Sequence, residues 1–167
     1  LYAFTDCQIS ISPLSCIIFN DKPVFIGISE ILKISTEHTK SILLKELEIQ
    51  LKELEEKWQS LTLERLFIEQ RIYRKIEELS SWEEVLSVIY NSILPFESQL
   101  IRKITNDDVL QLTEIKIKKI TRYDLDKEKE KINLIESSIQ ETKNHMNNLV
   151  DYAISYFKRI KQEHSSG

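Results

Sequence analysis

Histidine and cysteine, the side chains that most often bind transition metals or act as nucleophiles, are few in this chain and widely spaced. The histidines are His38, His145 and His164, and none belongs to a cluster with the spacing of metal ligands. Cys7 and Cys16 form no C-x-x-C pair and have no histidine close to them in the sequence. We therefore expect surface or packing histidines and buried, reduced thiols, and the sequence predicts neither a metal site nor a nucleophilic site.

Charged side chains are abundant, and their pattern favours solvated helix faces. The chain carries 23 Lys and Arg against 27 Asp and Glu, a net charge of −4, which argues against binding driven mainly by phosphate neutralisation. The densest positive cluster lies between Glu114 and Asp124. It consists of Lys116, Lys118, Lys119 and Arg122. No aromatic residue interleaves with them, so both a DNA contact and a solvated or interfacial face stay open for this cluster.

The basic cluster belongs to a segment, residues 105–124, that begins like a helix and carries an apolar stripe. Thr105 is a suitable N-cap, and Asp107 and Asp108 place negative charge at the first turn. The spacing predicts a helix from Thr105 to Thr121. The stripe consists of Val109, Leu112, Ile115 or Ile117, and Ile120. Periodicity alone leaves two interpretations open: packing in the core of the chain, or contact with a second copy, with Tyr123 as an interfacial anchor.

Two long heptad-spaced stretches flank this segment, and each requires a partner helix. We expect them to pair with each other as antiparallel coiled-coil arms, 29–62 and 124–164, closed by a small helical tip. The central residues of the predicted seam are Leu47, Leu51, Leu54, Trp58, Ile132, Ile135, Ile139 and Met146.

Shorter helices are expected between the arms, in a unit spanning residues 63–123. Helical periodicity covers 63–79 and Trp82 to Tyr90, and Ser80 or Ser81 with the glutamates that follow offers a capping box for the second helix. Pro95 then interrupts the chain, because the residue before a proline is disfavoured in helical conformation.

Residues 1–28 are predicted to contain short β-strands that complete a sheet lying upstream. Leu14 to Phe19 and Val24 to Ile26 are apolar runs separated by the turn-forming stretch Asn20 to Pro23, which indicates a hairpin. Because two or three strands bury little, and because the chain opens at Leu1 and closes on a short polar tail, 165–167, we expect a fragment of a longer protein.

Composition places the chain in the mainly α class, with long antiparallel coiled-coil arms, a small helical tip and a short β segment at the N-terminus. Only 2 Gly and 3 Pro are present, fewer than turn-rich β folds or phosphate-binding glycine loops require. No apolar run reaches the ~18 residues of a membrane span, and no signal peptide is recognised.

The segment Glu114 to Asp124, E-I-K-I-K-K-I-T-R-Y-D, resembles the D-L-R-L-Q-K-L-T-G-L-E motif of the bacterial type IIA DNA topoisomerase A subunit, found in DNA gyrase and topoisomerase IV. Lys22-Pro23 followed by I-S-E-I-L at 28–32 is similar to the R-P…L-K-E-I-L passage where that family's tower domain leads into its first long helix. The order of arm, tip and returning arm extends the resemblance over nearly the whole chain.

The chain also departs from the family pattern. Lys116 and Lys118 replace the usual Arg and Gln, and Arg122 replaces a Gly. The stretch 78–103 is longer than in the common gyrase version and closer to a topoisomerase IV-like variant. The resemblance therefore does not choose between the two enzymes.

The resemblance implies an exit gate, at which the tips of two subunits meet and through which the transported DNA duplex leaves. The implied dimer interface consists of Leu112, Ile115, Ile117, Ile120, Thr121 and Tyr123. The family's nucleophilic tyrosine follows an arginine in a winged-helix domain upstream of the tower. Arg122-Tyr123 matches that dipeptide only superficially because it falls at the tip, so no catalytic residue and no metal ligand is expected in this fragment.

The implied partners are a second copy at the tip, DNA in the parent enzyme, and an ATPase B subunit bound through absent regions. Mg²⁺ and ATP would be held by other domains or by the other subunit. The implied location is the bacterial cytoplasm, in association with the nucleoid and not in a membrane. One alternative is a coiled-coil scaffold or adaptor, in which Leu51 and Ile139 would face an external helix. Another is an RNA-binding helical arm, which the net charge disfavours.

Overall fold

The computed structural model describes residues 15–77, 79–116, 120 and 123–165. The elements are β1 (Cys16–Phe19), β2 (Lys22–Phe25), α1 (Ile28–Glu69), α2 (Ile72–Ile76), α3 (Trp82–Ile93), a 3-10 helix (Leu94–Gln99), α4 (Asn106–Thr113), α5 (Leu125–Asn147) and α6 (Leu149–His164). The predicted fold class is confirmed: the protein is mainly helical, with one long helix and a short antiparallel hairpin near the N-terminus.

The hairpin is tighter than the sequence suggested. Cys16 pairs with Phe25 and Phe19 with Lys22, so only Asn20 and Asp21 form the loop, and the following Lys-Pro belongs to β2. Both loop residues have positive φ, 50° and 59°, as a two-residue type I′ turn requires. Asparagine and aspartate tolerate that conformation better than most residues.

The expectation of buried thiols is wrong for Cys16, which is a free and exposed cysteine. In the described part of the chain β1 pairs with β2 alone, and three of its four residues are exposed. A two-stranded hairpin offers too little packing to bury that side chain. Cys7, with the rest of the predicted strands before residue 15, lies outside the described residues.

The chain divides into two compact units. One comprises residues 1–44 and 153–167, and its described part contains the hairpin, the beginning of α1 and most of α6. The other comprises residues 45–152 and holds a continuous apolar core. That core is built from the end of α1, α2, α3 and α4, and it contains Leu63, Leu66, Phe67, Ile72, Ile89, Ile93, Ile104, Val109 and Leu112.

Within the second unit, α1 and α5 run antiparallel. Lys143 Nζ lies 3.0 Å from Glu55 Oε1. Further along α1, Trp58 borders one groove together with residues 133–143 of α5. Further still, the charge of Glu69 contributes to the pKa of the Tyr123 hydroxyl. Positions therefore rise along α1 while they fall from Lys143 of α5 to Tyr123 just before it, which is the order that the two heptad stretches predicted.

Two predicted helices end early. α4 stops at Thr113 and not at Thr121, and the Thr113 hydroxyl donates to the Leu110 carbonyl at 2.6 Å. Thr113 and Ile115 are β-branched, which lowers the preference of this stretch for helix. The returning arm is two helices, because Asn148 leaves helical geometry (φ −113°, ψ 48°) while its side-chain amide donates to the Asn144 carbonyl.

The prediction of one helix over 63–79 is wrong: its first part belongs to α1, and its later part is the separate short helix α2. α1 continues without interruption past residue 62 to Glu69, and Arg71, with φ 51°, separates it from α2. α3 runs three residues beyond Tyr90, to Ile93. Ser81 occupies its N-cap position but makes no side-chain capping bond, so the predicted capping box is absent there.

Candidate functional site

The start of α4 is fixed by a capping box, and Thr105 is its N-cap as predicted. The Thr105 hydroxyl oxygen accepts from the Asp108 N–H at 3.4 Å, and Asp108 Oδ2 accepts from the Thr105 N–H at 2.9 Å. Each residue thereby satisfies a backbone donor that the first turn would otherwise leave unpaired.

Asp108 also pairs with Arg102 through two parallel hydrogen bonds. Arg102 NH1 donates to Asp108 Oδ2 at 2.6 Å, and NH2 donates to Oδ1 at 2.8 Å. Burial alone would raise the pKa of the Asp108 carboxyl, but the bonds from Arg102 and Thr105 outweigh it and hold that pKa below its ordinary value of 3.8. The same pairing raises the pKa of Arg102. The carboxylate is therefore ionised and held at both oxygens.

The backbone that carries Arg102 is held in turn by Gln59 of α1. The Gln59 side chain is fully buried, at 0% exposure. Its Nε2 donates to the Arg102 carbonyl at 3.1 Å, and its Oε1 accepts from the Ile101 N–H at 3.2 Å. Both halves of the amide are satisfied, as a buried polar group requires. Sequence patterns did not indicate this role, because a Gln one position beyond the seam residue Trp58 resembles a solvated arm position.

Four of the six predicted interface residues belong to the described part of the chain, and they lie at different depths. Leu112 is only 4% exposed and belongs to the core, so it supports the surface from beneath and is not accessible to a partner. Ile115 and Ile120 are half-buried and pack against the same core. Tyr123 is half-buried. Ile117 and Thr121 lie outside the described residues, as do Lys118, Lys119 and Arg122 of the basic cluster, whereas Lys116 is exposed.

Tyr123 lies in surroundings that keep its hydroxyl neutral. Burial raises its pKa first, and the carboxylates of Glu64 and Glu128 add to the effect, while Arg65 opposes it. An activated nucleophile needs the opposite shift, or a neighbouring base. These surroundings suit a packing or hydrogen-bonding tyrosine.

A second apolar surface, which the sequence analysis missed, lies between α3 and α4. Tyr90 of α3 and Leu110 of α4 are 37% and 40% exposed, and together with Leu86 and Val109 they border a groove of about 500 Å³. The available signal was Leu110 itself, an apolar residue one position away from the stripe residue Val109. We call this surface, with Leu86, Tyr90, Val109 and Leu110, the α3–α4 groove.

The predicted coiled-coil residues occupy buried or half-buried positions. Leu47, Ile132 and Ile139 are buried, and the half-buried ones are Leu51, Leu54, Trp58, Ile135 and Met146. The Glu55–Lys143 ion pair joins the two helices beside these residues.

Two further kinds of site are not found in the described residues. No group of three or more His, Cys, Asp and Glu in that part of the chain is placed to hold a metal ion. No helix in the described ranges combines the length and apolar character needed to cross a membrane.

Comparison with known proteins supplies the remaining observation. The family model for the A subunit of DNA gyrase/topoisomerase IV matches residues 1–158. The A subunit of DNA topoisomerase 4 from Borreliella burgdorferi is 32% identical over 165 residues, or 99% of this chain. The chain spans 26% of the length of that relative.

Proposed function

This chain belongs to the family of DNA gyrase/topoisomerase IV A subunits, and we propose that it is the part of such a protein in which two copies meet to form the exit gate. The observation that carries the proposal is the position of the family motif, Glu114 to Asp124. It follows α4 in the chain and leads into α5, and the carboxylates of Glu64 and Glu69, in the last part of α1, help raise the pKa of Tyr123 within it.

The surface next to the motif supports contact with a second copy. Ile115, Ile120 and Tyr123 are only partly buried, and in the α3–α4 groove Tyr90 and Leu110 are 37% and 40% exposed. Aromatic and aliphatic side chains of this kind are enriched in the cores of protein interfaces. A two-fold symmetric dimer would use the same residues on both copies. Such a contact must hold the subunits together and still open to let a DNA duplex leave.

The wider activity is proposed for the parent protein. Because the chain spans about a quarter of its relative, we place DNA cleavage, ATP and Mg²⁺ binding, and the contact with an ATPase subunit in regions beyond it. The cytoplasm of a bacterium, where the chromosome is accessible, is the proposed location. The alternative of a scaffold that binds an external helix is not favoured, because α5 already lies along α1.

Sedimentation equilibrium with two matched variants tests the proposal. Leu110→Glu places a charge on the α3–α4 groove, whereas Leu134→Glu makes the same change at a position of α5 that is 68% exposed. We expect the wild-type chain and Leu134→Glu to form dimers. Leu110→Glu should dissociate at least about tenfold more readily, because a buried, unpaired charge at an interface is costly.

Two results would contradict the proposal. One is a wild-type chain that stays monomeric at high micromolar concentration. The other is equal weakening of the dimer by both variants, which would show that the contact is not made through the tip.

A further inference from the structure

We propose that Gln59, Arg102 and Asp108 form a clamp that positions α4, and with it the proposed dimer surface, against α1. The inference rests on the proposed function, because it concerns how that same dimer surface is positioned. It assigns positioning roles to three polar residues that lie outside the apolar interface itself.

The first half of the clamp joins α1 to the segment before α4. The Gln59 side-chain amide accepts from the Ile101 N–H and donates to the Arg102 carbonyl, so it supplies partners for two neighbouring backbone groups. The amide is fully buried, and its removal would leave two backbone groups without partners.

The second half joins that segment to α4. Arg102 holds both carboxylate oxygens of Asp108, and Asp108 closes the capping box with Thr105. Asp108 is only 6% exposed. The path from α1 to the first turn of α4 therefore consists of hydrogen bonds with defined directions.

Directional bonds matter here because the contacts that α4 makes with the described hydrophobic core are apolar. Val109 and Leu112 pack into the core, and such contacts are non-directional, so they allow small rotations of the helix. A bidentate arginine–carboxylate pair fixes orientation as well as distance. α4 carries Leu110, which lies on the proposed dimer surface. In a two-fold symmetric dimer both copies contribute α4, so a displacement of α4 would change the interface at two places.

The test compares Asp108→Asn with Asp107→Asn. Asparagine at 108 keeps one acceptor oxygen for the Thr105 N–H, but it carries no charge and cannot accept from both NH1 and NH2 of Arg102. Asp107 is an exposed neighbour in the same turn, so its variant removes the same charge without touching the clamp. We expect Asp108→Asn to raise the dimer dissociation constant about tenfold and Asp107→Asn to leave it unchanged.

A double-mutant cycle separates the clamp from general destabilisation. Arg102→Gln leaves the bonds between Asp108 and Thr105 in place, and it replaces Asp108→Asn as the test if that variant does not fold. We expect the double variant Arg102→Gln/Asp108→Asn to dimerise no more weakly than either single variant, because the two residues act as one unit. Chemical unfolding of each variant is measured in parallel.

The outcomes distinguish the two proposals. A monomeric wild type overturns the proposed function, and the clamp with it. A dimeric wild type with an unchanged dissociation constant in Asp108→Asn overturns the clamp alone. So does a variant that loses unfolding stability while its dimerisation is unaffected, because that result assigns the three residues a purely structural role.

Discussion

Asp108 makes both a local hydrogen bond within the helix cap and hydrogen bonds to Arg102, outside the helix. Its bond to the Thr105 N–H is local and follows from helix capping, whereas its pair with Arg102 depends on how residues 101–104 are held by α1. Burial opposes ionisation of this carboxyl, and the two sets of bonds outweigh it and lower the pKa. The charge is therefore favoured by the fold, and stability must depend on it.

The acid dependence of unfolding should show this coupling. Because the folded-state pKa of Asp108 lies below its ordinary value of 3.8, its contribution is complete above that value and is lost as the pH falls through the folded-state pKa. We expect urea unfolding near neutral pH to show the wild type about 2 kcal/mol more stable than Asp108→Asn. That gap should shrink at about pH 3. Asp107→Asn controls for net charge, and a gap that is independent of pH would contradict the expectation.

α4 illustrates which features of an element can be predicted from sequence. The start of α4 was predictable because the capping box depends only on residues close together in the sequence, from Thr105 to Asp108. The end of α4 was not predictable, because apolar residues continue with helical spacing beyond Thr113, where the helix ends. Ile115 packs against the core from outside the helix, so tertiary contacts and not helical periodicity explain its burial.

The cap should be worth more than any other threonine contact in α4. Thr105→Ala removes the N-cap oxygen and should lower the free energy of unfolding by about 1 kcal/mol. Thr113→Ala removes the same hydroxyl from the other end of the helix, where it donates to the Leu110 carbonyl. We expect that change to stay within about 0.5 kcal/mol. Chemical unfolding measures the free energy of unfolding of both variants. Equal decreases in the two variants would contradict the role assigned to the Thr105 cap.

The break between α5 and α6 and the role of Gln59 escaped prediction for related reasons. The heptad pattern continues from Met146 to Leu149 across the break, so hydrophobic spacing could not reveal that Asn148 leaves the helix. Gln59 is polar and lies among charged neighbours, and its burial depends on a segment more than forty residues later in the chain. The spacing of apolar residues in a helix indicates which face is buried. It does not indicate which backbone groups far along the chain require a hydrogen-bond partner from that helix.

At the scale of the molecule, the main structural conclusion is that the parts of the two heptad stretches within residues 45–152 pair with each other in one chain. The ion pair of Glu55 with Lys143, the groove beside Trp58 and the surroundings of Tyr123 give the same antiparallel order. In this pairing Tyr123 of the family motif, just before α5, is influenced by the charges of Glu64 and Glu69 in the last part of α1. The pairing also distinguishes the exit-gate proposal from a scaffold whose seam would recruit an outside helix.

Cross-linking at defined positions tests that pairing directly. In a background with Cys7→Ser and Cys16→Ser, we expect Glu55→Cys and Lys143→Cys to be joined within one chain by a short bismaleimide, because their native side chains touch at 3.0 Å. The matched control combines Lys143→Cys with Glu69→Cys, which lies about 21 Å further along α1. It should give no product within one chain.

Mass spectrometry of the digested products, at a protein concentration too low for association, identifies which cysteines were joined. A product with Glu69→Cys in place of Glu55→Cys would reverse the direction of the pairing. Products between chains alone would mean that the seam recruits a separate helix. In that case the motif at 114–124 would lose its position at the end of paired helices, and the support that this position gives to the exit gate would be lost as well.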